Sequence, residues 1–234
     1  MHYSAKSLIP LFGLVVAPLV AQAAVAAAPE DGLSYSYLEA GYVFGDQLEF
    51  DDGTDNDKFD LDGFRFKGSA ALMPELFVWG STHNFDVDID DISGGDSDVS
   101  IDAQSLGVGY RFPLVTGPGA VDLWGGLSYE RLDDAGTAGD GYGATLGLRW
   151  LPIPQLELSG FAGYRDYGDL NFGDGDKAEV DGSAYGVGVA YHVTRNVALL
   201  ADWERLALDY DFAGGGNEDL DFDAFSVGVR WNIR

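Results

Sequence analysis

The sequence predicts an all-β protein, a ten-stranded antiparallel transmembrane β-barrel, and three observations lead to this fold class. Ten segments alternate apolar with small or polar side chains, and a period of two gives a strand two different faces. The breaks between the segments alternate in length, as the turns of outer-membrane barrels do. The 234 residues include 33 glycines, which is typical of many short strands joined by tight turns.

The N-terminal residues have the features of a secretory signal. Lys6 precedes an apolar stretch at Leu8–Val20, and small residues then flank a cleavage position after Ala23. Two prolines interrupt the stretch, which is also short for a membrane-spanning helix. An uncleaved anchor is therefore the weaker alternative. We expect a signal peptide at 1–23 and the barrel at 24–234.

The strand segments are recognised by their alternation. They are Leu33–Phe44, Phe59–Leu72, Leu76–Val87, Ile101–Phe112, Val121–Leu132, Tyr142–Leu151, Leu156–Tyr167, Ala184–Val193, Val197–Leu206 and Ala224–Ile233. In the sixth segment, for example, Leu146 and Leu148 alternate with Gly147 and Arg149. The third segment is ambiguous, because a histidine falls on the face that carries its aromatic residues.

The two faces favour a membrane barrel over a soluble sandwich. The polar face is mostly Gly, Ala and Ser with a few long charged side chains, which suits a crowded, narrow lumen. The apolar face often ends in Tyr, Phe or Trp, as the aromatic girdles at membrane interfaces require. A soluble sandwich, the alternative, would carry more Lys, Glu and Thr on the face that meets water.

The breaks predict how the barrel is oriented. The short ones are Met73–Glu75, Pro113–Ala120, Pro152–Gln155 and Thr194–Asn196, and the long ones follow the odd-numbered strands and are rich in Asp and Gly. Outer-membrane barrels have short periplasmic turns and longer outer loops. We therefore expect periplasmic termini, five acidic outer loops and a location in the bacterial outer membrane.

Several short motifs resemble those of small outer-membrane β-barrel proteins. The stretch at 32–43 resembles their first strand, Tyr129–Arg131 and Ala162–Tyr167 look like the upper parts of their fifth and seventh strands, and Met73–Leu76 resembles their first periplasmic turn. The closest resemblance is to the Ax-type barrels of xanthomonad-like bacteria. It implies a surface barrel without assigned catalysis and carries over no functional residues. Such barrels usually end on an aromatic residue, read by the insertion machinery, whereas this chain ends Trp231–Arg234.

The charge of the chain excludes several classes of partner. Its 39 acidic and 13 basic residues give a net charge of −26, which argues against binding nucleic acid, whose phosphates need basic side chains. The chain has no cysteine, so it has neither disulfides nor a thiolate metal site. We expect lipid and lipopolysaccharide as partners, the insertion machinery during biogenesis, and a monomer.

Most acidic residues lie in or beside the long breaks. A solvated anionic rim is the simpler interpretation. Clustered carboxylates are also hard-oxygen ligands, so weakly bound Ca²⁺ or Mg²⁺ is the alternative, with Asp86, Asp88, Asp90 and Asp91 as candidate ligands. No stretch matches the twelve-residue calcium loop with its closing Glu. A rim that bridges through cations to lipopolysaccharide phosphates is a further alternative, and no other cofactor is expected.

Long charged side chains on the small-residue face predict an ion-pair network inside the barrel. The candidates are Glu39, Arg65, Lys67, Arg111, Asp122, Glu130, Arg149, Glu157, Arg165, Asp202, Glu204 and Arg230. Hairpin geometry places Arg149 opposite Glu157, and Arg111 near Asp122. Ten strands leave an interior only slightly wider than one that side chains fill, so we expect the network to plug the lumen. A water-filled channel is the alternative.

One histidine raises the question of catalysis. His83 is near the outer end, and Ser81, Asp86 and Asp88 are close to it in sequence, so it could mimic a His–carboxylate or Ser–His pair. A lone histidine on a strand is more often structural. We expect no enzyme but a structural or adhesive barrel, with a narrow porin-like channel as the alternative and a hydrolase that uses His83 as a weaker one.

Overall fold

The fold prediction is confirmed: ten antiparallel strands pair in chain order and the first pairs with the last, which closes the barrel. The computed structural model describes residues 32–51, 56–89, 97–134, 137–172 and 176–233. The predicted signal peptide lies outside these ranges. The strands are β1 (Tyr37–Asp51), β2 (Asn56–Ala71), β3 (Leu76–Ile89), β4 (Ser97–Val115), β5 (Val121–Asp134), β6 (Thr137–Ile153), β7 (Leu156–Phe172), β8 (Asp176–His192), β9 (Val197–Phe212) and β10 (Asn217–Asn232). Among the described residues, no helix is long and apolar enough to cross a membrane.

The strands continue well beyond the predicted segments at one end of the barrel. We call this the long-hairpin end, where β1–β2, β3–β4, β5–β6, β7–β8 and β9–β10 are joined, and we call the opposite end the short-turn end. Strand β8 begins at Asp176 rather than at Ala184, and β10 begins at Asn217 rather than at Ala224. The prediction of long acidic loops is therefore wrong for β7 to β10, because most of those acidic residues are on paired strands.

Across most of the barrel the apolar faces point outward, as predicted. Leu146 is 57% exposed and Leu127 is 66% exposed. The ambiguous strand β3 is the exception, because Phe77 and Phe85 are buried and face inward. Phe77 packs there against Trp79 and against Trp124 of β5. The aromatic face of β3 thus lines the lumen.

Toward the long-hairpin end the two faces exchange polarity. In β9, Leu208 is buried while Asp209 is exposed, and in β10 Leu220 is 2% exposed although its neighbours are acidic. Apolar-in and polar-out is the pattern of a sheet in water. We call this part the acidic sleeve and the rest of the wall the lipid-facing section. The sleeve comprises residues 85–86, 100–103, 131–133, 138–141, 166–171, 177–182, 206–212 and 217–223.

A β-bulge helps β7 to make this exchange. The pairing of β7 with β8 shifts between Asp166 and Gly168, and Gly168 has a positive φ of 64°. Its amide donates a hydrogen bond to the Asp166 carboxylate at 2.9 Å. The extra residue changes the phase of the strand, so that both Tyr167 and Leu170 point inward and are buried.

Apolar side chains close the interior at both ends. Inside the sleeve lies one cluster, the sleeve core, composed of Val43, Phe85, Ile101, Leu132, Tyr167, Leu170, Ala178, Val180, Leu208, Tyr210, Leu220 and Phe222. At the short-turn end a second cluster contains Leu33, Tyr35, Ala71, Phe77 and Ala120, with Trp79, Trp124 and Leu151 packed against it. Most of the charged lumen residues lie between these two layers, and Arg111 and Asp122 lie at the short-turn end.

Candidate functional site

The most buried charges form a four-residue cluster that joins four strands. Arg149 donates two hydrogen bonds to the Glu157 carboxylate, at 2.9 and 3.0 Å. Arg230 lies 3.0 Å from Glu157 and 2.7 Å from Glu39. Each of these side chains is less than 10% exposed. Glu157 therefore accepts from two guanidinium groups, and β6, β7, β10 and β1 are linked through it.

Two tyrosines cover this cluster. The guanidinium carbon of Arg149 lies 4.6 Å from the centre of the Tyr35 ring, and that of Arg230 lies 4.6 Å from the centre of the Tyr37 ring. Cations at such distances are attracted by the ring quadrupole. The aromatic faces thus complete the surroundings of charges that are almost fully buried.

Three further ion pairs line the lumen, two of them nearer the long-hairpin end and the Arg111–Asp122 pair at the short-turn end. Their members are Arg65 with Asp202 at 2.6 Å, Arg111 with Asp122 at 3.1 Å, and Arg165 with Glu130 at 3.3 Å. Ser128 also donates to the Glu130 carboxylate, and Arg165 donates to the Thr145 hydroxyl at 2.8 Å. The structure thus brings ten of the twelve predicted lumen residues into direct ion pairs.

The remaining two residues are placed differently. Lys67 and Glu204 line the interior, but neither forms a direct ion pair with another described residue. The sequence analysis also missed a member, since His192 lies 3.6 Å from the Glu157 carboxylate. The alternation of β8 could have identified His192, because it shares a strand face with Ala190 and Ala184, which also point inward.

Two adjoining cavities occupy the middle of the barrel, with volumes of about 100 and 130 Å³. We call them together the chamber. The residues common to both cavities are Arg65, Ser81, His83, Ser105, Arg165 and Glu204. Polar spaces of this size hold several water molecules. The chamber is bounded by the sleeve core above and by Tyr35, Trp79 and Trp124 below.

His83 does not form a hydrogen-bonded pair with Ser81 or Asp86. Its side chain faces the chamber beside Phe85, whereas Asp86 is exposed on the opposite face of β3. Ser81 shares a 2.8 Å hydrogen bond with Ser105 instead of with the imidazole. Among the described residues no carboxylate accepts from His83. The alternative in which His83 pairs with Asp86 is therefore not realised, because residues three apart on a strand point to opposite faces.

The tentative cation ligands fall only partly within the described structure. Asp86 is exposed on β3, opposite Asp62 of β2. Asp88 is also on β3, while Asp90 and Asp91 lie outside the described residues. Within the part of the chain that the structure describes, no group of three or more acidic or histidine side chains could hold a metal ion. Weak cation binding at these positions remains a prediction.

A repeated tyrosine–aspartate contact marks the level at which the faces exchange polarity. Its members are Tyr42 with Asp62 at 2.7 Å, Tyr129 with Asp140, and Tyr164 with Asp181. Each tyrosine is on the first strand of a long hairpin and donates to a carboxylate on the second. The apolar ring thus lies on the lipid-facing side, and the hydroxyl points toward the acidic sleeve.

The sleeve concentrates negative charge on its outer surface. Asp209 of β9 lies directly opposite Asp181 of β8 and Asp219 of β10. Partial burial, together with these two neighbouring carboxylates, raises the pKa of Asp209. Arg205 offsets some of the charge, because it forms ion pairs with Asp221 and Asp223.

Comparison with known proteins agrees with this architecture. The family model described as outer membrane protein beta-barrel domain matches residues 12–232. An outer membrane channel from Pseudomonas putida F1 superposes with a TM-score of 0.51 at 12% identity, over 88% of this chain and 98% of that chain. The transport unit of the autotransporter AIDA-I from Escherichia coli gives a TM-score of 0.51 at 9% identity, over 94% of this chain and 98% of that chain.

The outer membrane protease OmpT from Escherichia coli is a more distant match, with a TM-score of 0.40 at 14% identity over 87% of this chain and 99% of that chain. No curated protein sequence matches the chain. Identities this low show a similarity of fold alone.

Proposed function

Because this chain belongs to the outer membrane protein beta-barrel domain family, we propose that its role is structural and interactive. It stabilises the envelope and contacts partners at the cell surface through the acidic sleeve, without catalysing a reaction. The chain is a β-barrel of the bacterial outer membrane, and barrels of this class place their longer connections outside the cell. The long-hairpin end is accordingly taken as the outer one.

The exchange of polarity between the two faces is the observation that carries this proposal. Carboxylates that point outward are too costly to place in hydrocarbon, so the sleeve belongs beyond the lipid tails. At roughly 3.3 Å per residue and a tilt of about 40°, the six or seven sleeve residues of each of β7 to β10 extend that part of the wall by about 15 Å. The outer surface there is an acidic face of paired strands, and binding partners meet strands as well as loops.

The closed interior supports a barrel that does not conduct. The sleeve core fills the interior at the long-hairpin end, and below it the Arg230–Glu157 and Arg65–Asp202 ion pairs link strands that are three apart in the barrel. One observation favours the narrow channel as a second candidate, because two cavities adjoin inside the wall. Steady, large conductance of the wild-type protein in a planar bilayer would favour that channel, whereas silence supports the closed barrel.

Lipid and lipopolysaccharide are the proposed partners of the outer surface. The sleeve lies at the level of the lipopolysaccharide phosphates, and its carboxylates and these phosphates repel each other because both are negative. Divalent cations held by exposed carboxylates such as Asp86 would relieve the repulsion. We also propose that the chain is related to the Ax-type barrels, for which a surface role is expected. We further propose that the barrel machinery inserts it and that it is a monomer.

The test uses cells that lack the protein and cells that express variants of it. Changing Asp209, Asp211, Asp219 and Asp221 together to Asn removes charge from the sleeve, and the matched change of the same residues to Glu retains it. We expect the Asn variant, but not the Glu variant, to lose surface adhesion or detergent resistance. A heat-dependent shift in electrophoretic mobility checks that both barrels fold. Equal behaviour of the two variants and the wild type would contradict a role for the sleeve.

A further inference from the structure

We propose that residues 33–36 form a strap that closes the chamber at the short-turn end and moves aside to admit small polar solutes from the periplasm. The sleeve core keeps the outer end shut throughout. This inference goes beyond the surface role proposed above, because it concerns the interior of the barrel and the opposite end of the wall.

The strap fills the mouth of the barrel without belonging to its wall. The sequence predicts a strand from Leu33, but β1 begins only at Tyr37, so the prediction is wrong for these four residues. Leu33 is 3% exposed and Tyr35 is 6% exposed. Tyr35 packs against Phe77 with 4.7 Å between ring centres. The chain therefore turns inward before the barrel begins, and its side chains cover the chamber.

Side-chain contacts hold most of the strap in place. The Arg149 guanidinium donates to the Ser34 carbonyl at 2.7 Å, and the Ser69 hydroxyl donates to the Tyr35 carbonyl at 2.8 Å. Among the described residues, backbone amides from the barrel wall donate to the strap at Ser36 alone: the Ile233 amide to its carbonyl and the Ala71 amide to its hydroxyl. These contacts can break while all ten strands stay paired, so the strap can move without unfolding of the barrel.

The closed position also leaves a polar group without a partner. The Tyr35 hydroxyl is buried and makes no hydrogen bond with a described residue. Burial of an unpaired hydroxyl opposes the state in which it occurs. Movement of the strap into the periplasm hydrates this group, which reduces the difference in free energy between the closed and open positions.

At the opposite end, strand pairing holds the described residues of the sleeve core in place. Leu132, Leu170, Leu208 and Leu220 of the sleeve core are each on a paired strand and almost fully buried. They cannot leave the interior unless strand pairs separate. The chamber between the two ends contains Lys67 and Glu204, which form no direct ion pair with another described residue, so its polar lining suits water and small polar solutes.

The absence of cysteine allows a direct test of access. Ser105→Cys places one thiol in the chamber wall, where both cavities meet. The rate at which a small charged methanethiosulfonate labels this thiol is then measured in the folded, detergent-solubilised protein. The double substitution Leu33→Ala and Tyr35→Ala loosens the strap. We expect the thiol in this variant to be labelled at least tenfold faster than in the protein with an intact strap.

A matched control removes the same residue types from the outside of the barrel. Tyr191→Ala with Leu199→Ala affects two exposed, directly paired residues of β8 and β9, and we expect no change in the labelling rate. Leu220→Ala in the sleeve core should likewise have little effect. Equal rates with the intact and the loosened strap would overturn the inference, as would a larger acceleration from Leu220→Ala.

If the loosened strap prevents folding, Ser36→Ala is the milder substitute, because it removes only the 3.1 Å hydrogen bond from the Ala71 amide to the Ser36 hydroxyl. We expect a smaller acceleration, and no acceleration would count against the strap. Adhesion of cells that carry the strap variants should equal that of the wild type. The surface role and the strap can thus fail independently of each other.

Discussion

The acidic sleeve and the lipid-facing section are parts of one closed barrel wall but obey opposite rules. In the lipid-facing section the wall carries its apolar side chains outward, and the interior contains small residues and paired charges. In the sleeve the carboxylates point outward, and leucines fill the interior. The same hydrogen-bonded wall therefore serves two solvents. Which face is apolar depends on whether lipid or water surrounds that level of the barrel.

The largest effect is expected from the charged interior of the lipid-facing section. Glu157→Ala should destabilise the barrel by about 3–5 kcal/mol, because it strands Arg149 and Arg230, which both bind this carboxylate. Asp221→Ala is the control in the sleeve, where the partner, Arg205, is about one-third exposed and retains Asp223. Urea unfolding in lipid vesicles measures both variants. If both variants lost a similar free energy of unfolding, burial would not be what makes the Glu157 ion pairs more important for stability than that of Asp221.

A smaller difference is expected between two leucines on opposite sides of the wall. Leu220→Ala should cost about 2–5 kcal/mol, because it leaves a cavity in the sleeve core. Leu146→Ala should cost less, about 1–2 kcal/mol, since lipid chains fill the space beside this 57% exposed side chain and only the transfer of its carbons from water to lipid is lost. The same unfolding measurement compares the two variants. A greater loss at Leu146 would reverse the assignment of inside and outside.

The position of the lipid boundary can be examined with an added charge. Leu146→Arg should cost about 2–4 kcal/mol, because it places a guanidinium on the lipid face near the middle of the wall. Asp209→Arg in the sleeve should be tolerated, since that side chain meets water and other carboxylates. The fraction that folds into vesicles reports both effects. Failure of the Asp209 variant to insert would mean that lipid reaches the sleeve.

The smallest effect concerns the pH dependence of the sleeve. The pKa of Asp209 is raised in the folded protein, so protonation favours folding and this contribution is lost as the pH rises through the folded pKa. Asp209→Asn should therefore be more stable than the wild type at neutral pH, by less than about 1 kcal/mol because the site is exposed. The difference should vanish below the pKa of an unfolded aspartate. Parallel unfolding curves at pH 7 and pH 3 provide the measurement.

The sequence by itself determined the number of strands, their order and the outward side of most of them. Alternation with a period of two is a local property, and side chains such as Leu146 and Gly147 show it within a few residues. The partners of Arg149 and Arg111 also followed from local geometry, because a short turn places residues of adjacent strands at fixed distances.

Only the tertiary structure decided the features that depend on what surrounds a face. An apolar face can meet lipid or a closed interior, so the sequence of β3 could not show that Phe77 and Trp79 point inward. Alternating Asp and Leu near Leu220 lacked the apolar outer face expected in a membrane and therefore indicated a loop. The inward turn of Leu33 and Tyr35 likewise depends on the open mouth of a barrel that exists only after ten distant segments have paired.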